Sequence, residues 1–88
     1  MKDKELERTL KALANRRRLA ILRCLKKDEE AAVGDIAEEI NLSLKATSKH
    51  LAILAAADLV EREQRSLMMF YRLAPEQKPP SRHIISLL

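Results

Sequence analysis

The sequence predicts a mainly α-helical fold with a small β-hairpin near its end, and three observations lead to that prediction. Apolar residues recur three and four positions apart through most of residues 3–57. Gly34 is the only glycine, which favours packed helices over a turn-rich β fold. After Asp58 the pattern changes to two short apolar arms around the polar segment EREQRS, which is typical of a hairpin.

Length and composition indicate one small domain with an aliphatic core. The chain has 88 residues, of which 47% are hydrophobic, and Phe70 and Tyr71 are its only aromatic residues. Cys24 is the only cysteine, so an intrachain disulfide is excluded, and its apolar helical surroundings predict a buried thiol. The charged N-terminus is unlike a signal peptide and no apolar run is long enough for a membrane span, so we expect a cytoplasmic protein.

The charge distribution predicts a polarised surface. The net charge is +4, but residues 1–27 hold ten Lys/Arg against three Asp/Glu, and residues 28–41 hold six acids and no base. Residues 42–73 are basic again, with five Lys/Arg against three Asp/Glu. A basic side of this kind suits a phosphate-bearing partner.

The first half of the chain predicts two helices and a connection. Leu6, Leu10 and Leu13 indicate a first helix over residues 3–14. Asn15 is a good N-cap for a second helix, which should end near Lys27. That helix is expected to bury Leu19, Ile21, Leu22 and Leu25. Residues 28–32 are expected to form a polar connection.

The next segment, residues 33–57, predicts a helix-turn-helix. Asn41 can adopt a left-handed conformation and close the third helix, and Ser43 can cap the fourth, which spans residues 44–57. The third helix is defined by Val33, Ile36, Ala37 and Ile40, and the fourth is expected to bury Leu44, Thr47, Leu51, Leu54 and Ala55. The second helix of such a unit usually enters the DNA major groove.

The remaining residues predict a wing, the β-hairpin that follows the recognition helix, and a C-terminal tail. Alternation places Leu67, Met69, Tyr71 and Leu73 on one face of the hairpin and Met68, Phe70 and Arg72 on the other. Two prolines predict that residues 77–80 are not helical, and Ser81 is a candidate cap for a last short turn or helix. We therefore divide the chain into a winged helix-turn-helix domain, residues 1–75, and a proline-containing linker with a short apolar tail, residues 76–88.

Three segments resemble the ArsR-type winged helix-turn-helix transcriptional regulators. LKALANRRRLAIL, residues 10–22, is similar to that family's opening pattern ALADPTRLAIL, with Arg18 on its arginine. INLSLKATSKHLAIL, residues 40–54, is similar to its recognition unit LGLSQSTVSRHLKVL, and DLVEREQRSLMMFYRL, residues 58–73, to its wing. The resemblance implies the order α-α-α-α-β-β with a short C-terminal helix or tail. It also implies a DNA-binding regulator, most often a repressor.

Departures from the family pattern are as informative as the matches. Ala32 and Gly34 stand where many members hold metal-binding cysteines, and His83 is the only histidine in the C-terminal segment that carries a second metal site in others. One cysteine and two histidines far apart make a transition-metal site a poor prediction, so we expect no metal and no cofactor. Asp58 and Ser66 replace two usual glycines, which predicts a longer or looser wing loop over residues 63–66.

The candidate DNA-binding residues lie on the fourth helix, on the second helix and in the wing. Lysine can reach guanine O6 and N7, serine can bond to several base edges, and both can contact phosphates. His50 is either packed against backbone or in contact with phosphate, and Arg18 is both a phosphate candidate and a packing residue. Of the three cations Arg16, Arg17 and Arg18 at the start of the second helix, at least one is expected to meet phosphate or an acidic patch. The set is Lys45, Ala46, Ser48, Lys49, His50, Arg18, Arg62 and Arg65.

A single recognition helix covers few base pairs, so a homodimer is expected. Its interface is predicted from the apolar positions of the first helix and the tail, which are Leu6, Leu10, Leu13, Ile84, Ile85 and Leu88. The tail could instead close the domain's own core. The alternative function is a winged helix that recruits a protein partner and binds DNA weakly or not at all. An enzyme is not expected, because the sequence has no nucleophile–base pair, paired carboxylates or glycine-rich phosphate loop.

Overall fold

The computed structural model describes all residues, Met1–Leu88, as five helices and a three-stranded antiparallel sheet. The helices are α1 (Asp3–Leu13), α2 (Arg16–Asp28), α3 (Val33–Glu39), α4 (Leu44–Ala56) and α5 (Pro79–Ser86). The strands are β1 (Glu30–Ala32), β2 (Val60–Arg65) and β3 (Met68–Leu73), in the sheet order β1-β3-β2. The predicted fold class is confirmed.

Local capping chemistry sets the helix boundaries as the sequence predicts. The Asn15 side chain accepts a hydrogen bond from the backbone N–H of Arg18 at 3.0 Å and starts α2. Ser43 Oγ accepts one from the N–H of Ala46 at 3.1 Å and starts α4. Asn41 lies between α3 and α4 with φ 53°, the left-handed conformation expected there. Because both caps and the turn residue act locally, the sequence alone predicts the helix-turn-helix.

The connection after α2 is a strand and not a polar loop. Residues Glu30–Ala32 pair antiparallel with Phe70–Arg72 of β3, and Ala31 and Ala32 are buried. The expectation of a polar connection over residues 28–32 is therefore wrong for its last three residues. A three-residue strand has too little alternation to be recognised alone, and it forms because β3 offers an unpaired edge.

The wing turn is tighter than expected. β2 and β3 pair without interruption from Val60↔Leu73 to Arg65↔Met68, which leaves a turn of two residues, Ser66 and Leu67. Ser66 has φ 57° and Leu67 does not have positive φ, the φ pattern of a type II′ turn. The predicted looser loop is thus wrong, because Ser66 adopts the left-handed conformation that glycine usually supplies. Asp58, at the other missing glycine, does the same with φ 60°.

The C-terminal segment forms a helix that begins on the two prolines. Pro79 and Pro80 occupy the first turn of α5, where backbone N–H groups have no intrahelical partner to lose. The prediction that residues 77–80 are non-helical is wrong for these two. Ser81 is not the cap either, since it lies buried within α5 and its hydroxyl donates to the carbonyl of Lys78 at 3.1 Å.

The core lies between the helices and the inner face of the sheet, and it is aliphatic. Its largest fully buried side chains include Ile21, Leu22, Leu25, Ile36, Leu51, Leu54 and Leu59. Ile85 of α5 joins this core, with Ile84 and Leu88 packed against its edge. Leu44 is the exception on α4: it was expected inward and is 57% exposed. None of the helices has both the length and the apolar character needed to cross a membrane.

Candidate DNA-binding surface

The exposed face of α4 carries three of the eight predicted DNA-contacting side chains, Lys45, Ser48 and Lys49. Lys45, Ser48, Lys49 and Ala52 are all exposed, while Thr47, Leu51 and Leu54 are buried on the opposite side. The cap at Ser43 and the turn at Asn41 hold the start of this helix against α3. The arrangement presents a short convex helix face that fits a major groove.

Ala46 and His50 sit at the margin of this face. Both are half-buried. His50 Nδ1 lies 3.2 Å from a terminal nitrogen of Arg18, so the histidine faces α2 and is not bonded to backbone. Burial and then the charges of Arg18 and Arg17 lower the pKa of His50 from its usual 6.5. The imidazole is therefore neutral at physiological pH and adds no charge toward phosphate.

Arg18 joins three helices through one guanidinium. Its Nε donates to the carbonyl of Ala12 at 2.6 Å and a terminal nitrogen donates to the carbonyl of Lys11 at 3.0 Å. These carbonyls belong to the last turn of α1, which lacks intrahelical donors. Together with the His50 contact, these bonds link α1 and α2 to the recognition helix, so Arg18 fills the packing role anticipated for it.

The free cations on the exposed face of α4 are its two lysines. Neither Lys45 nor Lys49 takes part in the ion pairs within the chain. Their ammonium groups are therefore available to phosphate oxygens or to guanine acceptors.

Most of the charged side chains of the wing pair with one another or with Glu30, and the exception is Arg62. Arg65 pairs with Glu30 and Glu63, and it also lies over the Phe70 ring, 4.7 Å from the ring centroid. Hydrogen bonds from Arg65 and then Arg72 lower the pKa of Glu63 to about 2. Arg62 is exposed and outside this network, so it is the wing cation whose charge is not paired within the chain.

The predicted dimer residues divide between surface and core. Leu10 of α1 is 48% exposed and lines a shallow hollow with Leu6 and Ala14. Leu13 and Ile85 are buried within this chain at 5% and 7% exposure, so their assignment to a subunit interface is corrected. Leu87, which directly follows α5 and is absent from the predicted set, is 69% exposed.

A cluster of possible metal ligands was not anticipated. The Cys24 sulfur and carboxylate oxygens of Asp28 and Glu39 lie within 4.8 Å of one another. Lys27 Nζ lies 2.8 Å from Glu39 and 3.9 Å from Asp28, so the cluster already contains a cation. Burial, reinforced by the two carboxylates, raises the pKa of Cys24 to about 12, which keeps the sulfur protonated. The expected burial of Cys24 is confirmed.

Comparison with known proteins identifies the family. A family model described as a helix-turn-helix domain matches residues 6–63. A homodimeric winged helix-turn-helix DNA-binding domain from Mycobacterium bovis, described as a possible ArsR-family regulator, has a TM-score of 0.82 and 33% identity. That match covers 96% of this chain and 74% of the other. The chain belongs to the ArsR-type winged helix-turn-helix transcriptional regulators.

Two further relatives are similar to this chain. The transcriptional activator HlyU of Vibrio cholerae is 43% identical over 65 residues, which cover 74% of this chain and 59% of HlyU. Its solved structure matches with a TM-score of 0.81 at 35% identity, over 99% of this chain and 92% of that one. The nodulation protein NolR of Rhizobium meliloti is 44% identical over 62 residues, 70% of this chain and 50% of NolR.

The chain thus spans between 50% and 59% of the length of these two curated relatives, of which HlyU is described as a transcriptional activator and NolR as a nodulation protein.

Proposed function

We propose that the chain binds double-stranded DNA as a homodimer and represses transcription, with α4 of each subunit in a major groove. The observation that carries the proposal is the exposed face of α4, where two unpaired lysines flank Ser48 at the leading end of a capped helix. HlyU is described as a transcriptional activator and the Mycobacterium bovis relative as a DNA-binding domain, and both share this fold, which supports DNA as the partner. We keep the expected cytoplasmic location as part of this proposal, since the protein must share a compartment with the DNA that it binds.

The contacts divide by role within this proposal. Lys45, Ser48 and Lys49 meet bases or phosphates, and Arg62 meets phosphate from the wing. Arg65 does not contact DNA, because its guanidinium is paired with Glu30 and Glu63. Arg18 and His50 position α4 through their contact between α2 and α4.

The dimer completes the proposal, because two half-sites multiply a specificity that one short helix cannot provide. Leu6 and Leu10 of α1 with the exposed edge of α5 form the proposed interface, and the Mycobacterium bovis relative is described as homodimeric. Residues 1–75 would then read DNA, and residues 76–88 would support the dimer. Sedimentation equilibrium should give a dimer that Leu10→Glu converts to monomer; a wild-type monomer at all concentrations would contradict it.

Selection from genomic fragments followed by titration at several salt concentrations tests DNA binding. Loss of one phosphate contact makes the plot of log affinity against log salt shallower by roughly 0.9. Lys49→Ala removes one contact from each subunit, so the dimer's slope should fall by about 1.8 if Lys49 meets phosphate. Arg82→Ala, which removes an exposed cation of α5, should leave the slope unchanged.

A wild-type affinity that does not vary with salt would contradict DNA binding and favour the protein-interaction alternative.

Repression is proposed to act by occlusion, since a bound dimer covers the DNA that polymerase needs. A reporter whose promoter overlaps the selected site should be silenced when the protein is expressed. HlyU is described as an activator, and increased reporter expression would assign that mode to this chain instead.

A further inference from the structure

Leu44 is a large apolar side chain that is exposed to solvent at the first position of the recognition helix, α4. It is 57% exposed, although its place in the repeat of α4 predicts burial. The Ser43 cap fixes where α4 begins, because its Oγ accepts the N–H of Ala46 at 3.1 Å. The exposure of Leu44 is therefore set by a well-defined helix start.

Leu44 belongs to the same exposed arc as the polar DNA-facing residues. At about 100° per residue, positions 44, 45, 48, 49 and 52 fall within roughly 140° of the helix circumference. Thr47 and Leu51, between them in sequence, point into the core and are fully buried. The leading turn of a recognition helix is the part that contacts base edges, and here that turn presents an apolar group.

We propose that Leu44 contacts the C5-methyl group of a thymine in each half-site and selects for it. This proposal rests on the DNA-binding function proposed above. In the major groove, thymine is the one base with an apolar group at its edge, and apolar side chains pair with that methyl.

A G·C pair at the same place presents only donors and acceptors to Leu44. The leucine would displace water from those groups without replacing the hydrogen bonds. Selection against G·C therefore accompanies selection for thymine.

Replacing thymine by deoxyuridine tests the contact, because it removes the methyl group and keeps every hydrogen-bonding atom. In the selected site, each thymine is replaced in turn, symmetrically in both half-sites. At one position, wild-type affinity should fall roughly fourfold per half-site, the effect of one buried methyl group, and thus about 15-fold for the dimer. The salt dependence should not change, since no phosphate contact is lost.

Substitution of the protein identifies the group that senses the methyl. Leu44→Ala should bind thymine and deoxyuridine sites equally at that position. Ile53→Ala is the matched control. Ile53 is also an apolar residue of α4 and is 44% exposed. It lies nine positions after Leu44, so its side chain projects from the opposite side of the helix. This variant should keep the full discrimination. Both substitutions are at exposed sites, and thermal unfolding checks that both variants are folded.

Selective DNA binding in which no thymine shows the methyl effect, or in which Leu44→Ala retains it, would overturn this proposal and leave the DNA-binding function standing. Absence of selective DNA binding at any salt concentration would overturn both.

Discussion

Replacing Arg18 by alanine should lower the stability of the domain markedly, because its guanidinium ties α1 and α2 to α4. The side chain donates to the carbonyls of Ala12 and Lys11 at 2.6 and 3.0 Å and contacts His50 at 3.2 Å. A hydrogen bond to a charged group contributes about 1.5–3 kcal/mol, and we take ~1 kcal/mol for each because Arg18 is only half-buried. The expected loss of unfolding free energy is about 2–3 kcal/mol. For a domain of this size, that lowers Tm by roughly 10–20 °C.

Thermal unfolding followed by far-ultraviolet circular dichroism, with urea denaturation at fixed temperature, measures the effect. Arg17→Ala is the matched control, since it removes the exposed neighbouring arginine and should change stability by less than about 0.5 kcal/mol. Arg18→Lys keeps the charge but not the forked donor geometry, so it should recover little of the loss. If Arg18→Ala melted within about 2 °C of Arg17→Ala, the three hydrogen bonds would not stabilise the fold as argued.

Four further predictions concern single side chains. The buried Thr47 hydroxyl has no hydrogen-bond partner, so Thr47→Val should stabilise the domain by about 1 kcal/mol in urea denaturation, and a loss would indicate a hidden partner. Ser66→Gly should stabilise by about 0.5–1 kcal/mol by relieving the left-handed backbone of the wing turn; a lower Tm would contradict this reading of the turn.

With a pKa of about 12, Cys24 should react with a thiol reagent at about pH 8 only after denaturant is added, whereas prompt reaction of the folded protein would show an exposed thiolate. Because the pKa of His50 is lowered in the folded state, the unfolded chain takes up a proton that the folded chain does not. The free energy of unfolding should therefore decrease as the pH is lowered below about 6.5. In His50→Gln this decrease should be less steep.

Most of the architecture could be predicted from sequence because its signals are local. Asn15, Asn41 and Ser43 act within three or four residues of the helix ends that they define, and helical periodicity does not depend on distant partners. The hairpin was predicted for the same reason. The sequence predicts that Pro79 and Pro80 belong to a linker, but they begin α5. Proline is common both in linkers and in the first turn of a helix, so its presence alone does not distinguish the two.

The candidate surface could be predicted only in part. Lys45, Ser48 and Lys49 were placed on the exposed face from spacing alone. Leu44 is apolar and its spacing predicts burial, but the folded chain leaves it 57% exposed at the first position of α4. The sequence predicts Arg65 as a free cation of the wing, because no local pattern shows that Glu30, 35 positions earlier, pairs with it.

The amino-acid sequence by itself therefore determined the helix-turn-helix, its capping residues, the wing and the polar face of α4. These follow from backbone hydrogen bonding and side-chain period within a few residues. Only the tertiary structure decided which cations remain free. It joins β1 to β3 and brings Glu30 to Arg65, and it brings Arg18 to His50. Pairings of this kind depend on residues that meet across the fold, and a one-dimensional pattern carries no record of them.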